Sequence, residues 1–152
     1  MLNLARMRDA RIMKIMADVE LLKPPELLLI DDDPRILDGL TRVLGSAFVA
    51  AGIEVDILYA ETTEKGLSIM SAEATTLPDG AIVDGLDGGC WEILQRASEL
   101  GVPAILYSGN SDYISRAEQT GIPAQIKGQS LSFLKELMRK NFSFMRPHLI
   151  EK

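Results

Sequence analysis

The sequence has only one cysteine, one tryptophan and one histidine among its 152 residues. A single cysteine, Cys90, excludes an internal disulfide and fits a reducing compartment, so we expect a cytoplasmic protein. No apolar run approaches the ~20 residues of a membrane span, and no apolar core follows the basic N-terminal residues as it would in a secretory signal. The net charge of -6 argues against broad nucleic-acid binding, because phosphate neutralisation needs clustered Lys and Arg.

Instead, the sequence has short apolar runs that alternate with amphipathic helices. Asp33 suits a helix N-cap with Pro34 at the first helical position, and we expect that helix to give way to small, loose residues at 46–52. The second helix is predicted from Thr62 or Thr63 to about Glu73, and Ser111 is predicted to cap the fourth. The predicted strands lie at 27–30, 54–60, 81–83, 102–107 and 124–126. Five βα units in strict alternation predict one α/β, doubly wound parallel sheet with helices on both faces.

Two further segments flank this unit. Residues 1–25 form an N-terminal extension that is predicted to be an amphipathic helix up to Lys23, because two prolines then follow. It could pack on the domain, pair with a second copy or contact an acidic partner. Alternatively, part of it is disordered, or translation starts at Met13 or Met16. We place the main domain at 26–140 and a C-terminal tail, which contains His148, at 141–152.

Four of the five predicted strands end on a polar side chain. Asp31 and Asp32 follow the first strand, Asp84 the third, Ser108 the fourth and Lys127 the fifth. In a parallel sheet these ends lie on one edge, where open α/β folds place their ligands. Carboxylates are ligands for Mg²⁺, a hydroxyl and an ammonium donate to phosphate oxygens, and a carboxylate between them can attack phosphorus. The pattern therefore predicts a metal and phosphate site at this edge.

Four motifs, in order, make the chain resemble the receiver domain of bacterial two-component response regulators. They are Leu-Leu-Leu-Ile-Asp-Asp-Asp-Pro at 27–34, Ala-Ile-Val-Asp at 81–84, Ile-Leu-Tyr-Ser-Gly at 105–109 and Ile-Lys-Gly at 126–128. The resemblance covers about residues 26–140. It implies a five-stranded sheet of order 2-1-3-4-5, the flavodoxin-like receiver fold.

The resemblance also implies a role for each residue at the strand ends. Asp84 would accept a phosphoryl group from a sensor histidine kinase or a histidine phosphotransfer protein, while Ser108 and Lys127 would bind the phosphoryl oxygens. Mg²⁺ would be bound by Asp31, Asp32, Asp84 and the backbone carbonyl of Leu86. The small residue Gly109 would leave the acceptor accessible. The chain would be a single-domain response regulator, a phosphoprotein rather than an enzyme, that signals through contact with a downstream protein. It could act as a phosphorelay intermediate, as a dimeric adaptor (a homodimer) or as a phosphate sink.

The chain departs from the family pattern at three places. The loop after Asp84 is short and lacks a proline, Gly128 replaces the usual proline after Lys127, and Ala124 stands where the family has an aromatic residue. A signal would therefore have to pass through loop or helix movement. Two alternatives stay open. One is a receiver-like interaction or dimerisation module that is never phosphorylated. The other is a Mg²⁺-dependent, haloacid-dehalogenase-like phosphohydrolase, for which Asp31 and Asp33 supply an Asp-x-Asp pattern.

Overall fold

The computed structural model describes residues 11–13 and 23–145. Residues 11–13 are helical, and the rest of the predicted N-terminal helix, like the tail from 146 with His148, lies outside the described residues. Between 23 and 145, strands and helices alternate as β1 Glu26–Ile30, α1 Pro34–Ala51, β2 Asp56–Ala60, α2 Thr63–Ile69, β3 Gly80–Val83, α3 Cys90–Leu100, β4 Ala104–Ser108, α4 Ser111–Gln119, β5 Ala124–Ile126 and α5 Leu131–Asn141. Single 3₁₀ turns follow β3, at Leu86–Gly88, and α5, at Ser143–Met145.

The five strands form one parallel sheet in the order β2-β1-β3-β4-β5. This confirms both the predicted parallel sheet and the order that the receiver resemblance implies. The order reverses between β1 and β3, since β2 lies outside β1 and the later strands lie on the other side. The carboxyl ends of β1 and β3 therefore border the crevice in which doubly wound folds hold their ligands.

Both faces of the sheet are buried, which explains why β1 is a continuous apolar run rather than an alternating one. Leu27 and Leu29 face one side and pack with side chains of α1 and α5. Leu28 and Ile30 face the other side and pack with α3 and with Ala117 of α4. Because successive residues of a strand point to opposite faces, a one-residue shift of β1 would exchange the two cores.

Side-chain caps fix the starts of the helices near the site. The Asp33 carboxylate accepts the Arg35 N–H at 2.9 Å and Pro34 is the first residue of α1, as predicted. Ser111, however, was the wrong cap for α4. The side chain of Asn110 accepts the N–H groups of Asp112 and Tyr113 instead. Asn110 is therefore the cap, and Ser111 is the first residue of α4.

Two predicted helix ends are also wrong. Helix α1 runs through the small residues to Ala51 and ends at Gly52, which has a left-handed φ of 71°; alanine favours helix more than any other residue, so small size did not mean loose structure. Helix α2 ends at Ile69 rather than near Glu73. The next residue, Met70, is buried in the core, and the Ser71 hydroxyl accepts the Glu73 N–H in a local turn.

The core continues past α5. Phe142 and Met145 are buried on the α1–α5 side of the sheet, so packed residues extend beyond position 140. The Phe142 ring lies against β3 so closely that a Cβ placed on Gly80 would be 2.8 Å from two of its carbons. Among the described residues, no helix is long and apolar enough to cross a membrane.

Candidate functional site

Backbone hydrogen bonds continue the sheet past its strands and hold the candidate residues at its edge. The Asp31 N–H donates to the Ala60 carbonyl at 3.1 Å, and the Asp84 N–H donates to the Ile30 carbonyl at 2.8 Å. In the same way the Lys127 N–H donates to the carbonyl of Ser108 at 2.9 Å. The main chain of each of these residues is therefore held in place at the carboxyl edge of the sheet.

Lys127 joins the two acidic strand ends. Its ammonium nitrogen lies 2.7 Å from Asp31 Oδ2 and 2.5 Å from Asp84 Oδ1. The side chains are only 20%, 4% and 13% exposed for Lys127, Asp31 and Asp84. One ammonium group thus connects the ends of β1, β3 and β5, although Lys127 is 96 positions from Asp31 and 43 from Asp84 along the chain.

Burial and charge oppose each other at both ends of this contact. Burial raises the pKa of Asp31, and the hydrogen bonds from Lys127 and from the Asp33 N–H only partly offset it. Burial lowers the pKa of Lys127, but its hydrogen bonds to Asp31 and Asp84 and the negative charges of both carboxylates together outweigh that effect, so the pKa of Lys127 lies above its usual value. Lys127 is therefore a fixed positive charge at physiological pH.

Asp31, Asp32 and Asp84 each offer a carboxylate oxygen, and these three oxygens lie within 4.8 Å of one another. Asp31 is buried, Asp84 half-buried and Asp32 exposed. A set of hard oxygen donors, open to water on one side, fits Mg²⁺, which keeps several water ligands and binds through one or two carboxylates. The fold therefore brings together the three carboxylates of the predicted donor set.

The Leu86 carbonyl is engaged within its own loop. It accepts the Gly89 N–H at 3.0 Å, which closes the 3₁₀ turn after β3. Leu86 and Asp87 both have left-handed φ angles, 50° and 51°. The Leu86 N–H donates to Asp84 Oδ2 at 3.1 Å, so the loop folds back on the candidate acceptor. A carbonyl oxygen has two lone pairs. The Gly89 N–H uses one of them, and the second is left for a metal ion or another donor.

Ser108 lies buried at the end of β4. Its Oγ accepts the Asn110 N–H at 3.1 Å, which uses a lone pair and leaves the hydroxyl hydrogen free to donate. A Cβ placed on Gly85, the residue after Asp84, would be 3.0 Å from this oxygen. Gly109 is exposed, with open space where a Cβ would be. The hydroxyl is thus next to the acceptor loop and the approach beside it is open.

Sequence reasoning missed Tyr113, which borders this site. The ring reaches Gly85 from α4, and its edge packs against Trp91 with the two ring centres 5.6 Å apart. A signal existed, because a tyrosine three residues after a capping Asn110 faces back toward the start of its helix. Cys90 lies beneath the same loop, and burial raises the pKa of its thiol to about 11.

A scan against protein-family models finds no match for the chain, and a search of the curated proteins finds none either. Solved structures do match. A response regulator receiver protein from Burkholderia phymatum has a TM-score of 0.60 and 21% identity over 75% of this chain and 92% of its own. The phosphorylated cyanobacterial phytochrome response regulator RcpA has a TM-score of 0.57 and 15% identity over 78% and 91%. A structure described as adenylate cyclase from Rhodopirellula baltica has a TM-score of 0.61 and 19% identity over 86% and 99%.

These similarities confirm the predicted fold. The chain has the flavodoxin-like fold of response-regulator receiver domains, with the same all-parallel sheet order. At such low identities the likeness concerns the fold alone, so the chemistry rests on the residues at the sheet edge. Among the described residues those include a cluster of three acids that could hold a metal ion.

Proposed function

We propose that the protein is a response regulator whose Asp84 accepts a phosphoryl group from a phosphohistidine on a kinase or phosphotransfer partner. The observation that carries the proposal is the contact of Lys127 with both Asp84 and Asp31 at the crevice of a receiver fold. An acid at the end of β3, an acid pair at the end of β1 and a buried hydroxyl at the end of β4 complete the set.

In the proposed reaction, an oxygen of the Asp84 carboxylate attacks the phosphorus of the donor. A new O–P bond forms, the P–N bond of the phosphohistidine breaks, and the imidazole leaves with the electron pair of that bond. The Asp84 side chain is suited to attack because its backbone N–H bonds to the Ile30 carbonyl and the Leu86 N–H bonds to Oδ2, so the carboxylate is held in place at the crevice. Positioning of this kind supplies most of the catalysis in phosphoryl transfer.

Lys127 and Ser108 would bind the oxygens of the transferred group. The ammonium already contacts Asp84, so little reorganisation is needed for it to bind a phosphoryl oxygen as negative charge accumulates there. The free hydroxyl hydrogen of Ser108 supplies a second donor from the side of β4. Asp31, Asp32 and Asp84 would hold Mg²⁺, whose charge would offset that of the carboxylates and of the incoming phosphoryl group. The protein remains a phosphoacceptor rather than an enzyme acting on other substrates.

The test is incubation of the purified full chain with acetyl phosphate and Mg²⁺, followed by intact mass measurement. We expect a mass increase of one phosphoryl group that disappears with EDTA and in Asp84→Asn. A matched control is Asp87→Asn, which removes an exposed acid three residues further along the same loop and should keep the increase. Wild-type protein without any increase, or an undiminished increase in Asp84→Asn, would refute the proposal.

A second candidate is a receiver-like module that binds a partner protein without phosphorylation. The observation in its favour concerns Leu86, whose backbone is left-handed and whose carbonyl accepts the Gly89 N–H. A loop held in this way offers one lone pair fewer to a cation. This candidate requires the same affinity for the partner, measured by calorimetry, with and without phosphodonor, and no phosphorylation of Asp84.

A further inference from the structure

Tyr113 covers the loop that follows the candidate acceptor. A Cβ on Gly85 would be 2.9 Å from Tyr113 Cδ2 and 3.0 Å from Cε2, and a Cβ on Gly88 would be 3.6 Å from the phenolic oxygen. The Oγ of Ser108 is 3.0 Å from the same Gly85 position. The ring and the Ser108 hydroxyl therefore meet at one point of the loop, and only a glycine at 85 leaves room for both.

A chain of hydrogen bonds also connects Ser108 to Tyr113. The Asn110 N–H donates to Ser108 Oγ at 3.1 Å, and the Asn110 side-chain oxygen accepts the Tyr113 N–H at 3.2 Å. The hydroxyl of Ser108 thus holds the residue that caps α4. If the Ser108 side chain moves toward a phosphoryl oxygen, its Oγ shifts relative to the Asn110 N–H and to Gly85, which would alter the start of α4 and the space beside the Tyr113 ring.

On its other side, Tyr113 contacts the surface between α3 and α4. Its ring meets Trp91 edge-on, with a centroid distance of 5.6 Å and an interplanar angle of 75°. The Arg116 guanidinium carbon lies 4.0 Å from the centre of the Trp91 ring. Trp91 and Arg116 then border a cavity of about 340 Å³ between the two helices, with Leu94, Ser98 and Ile122 among its other walls. We call Tyr113, Trp91 and Arg116 the Trp91 cluster.

We infer that Tyr113 couples the phosphorylation of Asp84 to the surface between α3 and α4 through the Trp91 cluster. This inference rests on the proposed phosphorylation of Asp84. Coupling between sites requires an element with two arrangements whose balance both sites shift. In this inference the Tyr113 ring is that element, because the loop at Gly85 bounds it on one side and Trp91 contacts it on the other. Tyr113 is a positioning residue, since it would act through the loop at Gly85 rather than on the phosphoryl group itself.

Trp91 provides a direct probe, since it is the only tryptophan of the chain. We would record its emission from the full-length protein during titration with acetyl phosphate and Mg²⁺, with intact mass measured in parallel. In wild type the emission should change in proportion to the phosphorylated fraction. Tyr113→Phe keeps the ring and should keep this change, whereas Tyr113→Leu should lose it while still being phosphorylated. Tyr59→Leu is the matched control, since that ring is exposed on β2 and its loss should leave the response intact.

The outcomes separate failure of the coupling from failure of the proposed function. Phosphorylated wild type with unchanged Trp91 emission, or a full response in Tyr113→Leu, would overturn the coupling and leave the phosphorylation standing. No mass increase in wild type would refute the proposed function and, with it, the coupling. If Tyr113→Leu does not fold, Gly85→Ala replaces it, because the added methyl group meets the ring. That variant should shift the Trp91 emission without phosphodonor, and a spectrum identical to wild type would overturn the inference.

Discussion

Replacing Lys127 by methionine should expose how strongly the site depends on one charge. The ammonium lies 2.7 Å from Asp31 and 2.5 Å from Asp84, which at an effective dielectric constant of 20 is an attraction of about 6 kcal/mol for each pair. The two carboxylates, with oxygens no more than 4.8 Å apart, repel each other by about 3.5 kcal/mol or more. Dehydration of the three groups costs several kcal/mol each, so the net contribution is much smaller than these sums.

We expect Lys127→Met to lower the free energy of unfolding by about 3 kcal/mol, the lower end of the range for breaking a buried ion pair. The lower end applies because the Lys127 side chain is one-fifth exposed. The assay is urea denaturation followed by far-ultraviolet circular dichroism, first in EDTA and then with Mg²⁺. Since Lys127→Met leaves the acidic cluster without its ammonium, Mg²⁺ should stabilise the variant more than the wild type.

Two further variants sharpen this test. Asp31→Asn combined with Lys127→Met removes the repulsion between the carboxylates and should recover part of the lost stability. Arg35→Met removes a cation whose ion pair with Asp33 is 90% exposed on the arginine side, and it should change little because water and salt screen such a pair. A loss below about 1 kcal/mol for Lys127→Met, typical of a surface pair, or the same response to Mg²⁺ as in wild type, would refute the reasoning.

Three other predictions concern packing and charge. Phe142→Ala should lower the free energy of unfolding by about 3 to 5 kcal/mol because the ring is fully buried, whereas Phe133→Ala, at 57% exposure, should cost far less; equal losses in urea denaturation would contradict the packing. Gly89→Ala places a Cβ 2.2 Å from Thr63 Oγ1 and should lower the free energy of unfolding by about 1 to 3 kcal/mol. Adding Thr63→Ala should restore most of that loss, and a double variant as unstable as Gly89→Ala would contradict the proposed clash with Thr63. Finally, the pKa of Lys127 is raised above 10.5, so its stabilising effect is complete below pH 10.5 and is lost as pH rises through the folded-state value. The difference in stability between wild type and Lys127→Met should therefore narrow only above pH 10.5, and narrowing between pH 7 and 9 would contradict this.

The parallel sheet and the residues at its edge could be predicted because their causes are local. An apolar run such as Leu27–Ile30 is stable only when covered on both faces, and strand ends in a parallel sheet converge whatever the loops do. The convergence of Asp31, Asp84 and Lys127 follows from topology alone, and the glycine after Lys127 did not prevent it.

The errors and omissions arose where the outcome depends on tertiary contacts. The end of α2 is decided by the burial of Met70, which a local pattern of apolar residues does not reveal. The orientation of the Leu86 carbonyl depends on two left-handed residues in a loop of three glycines, where many backbone conformations are open. The contact of Tyr113 with Gly85 joins residues 28 positions apart in sequence, by the difference of their numbers. No periodicity encodes such a contact.

The burial of Cys90 has a practical consequence for measuring motion. The thiol is fully buried at the first residue of α3, and its pKa of about 11 keeps it almost entirely protonated at neutral pH, so a thiol-specific reagent cannot attack it in the folded protein. Because the chain has no other cysteine, the labelling rate counts opening events of the start of α3, directly under the acceptor loop. The rate of labelling by a chromogenic disulfide would thus measure local opening in this part of the fold without any mutation.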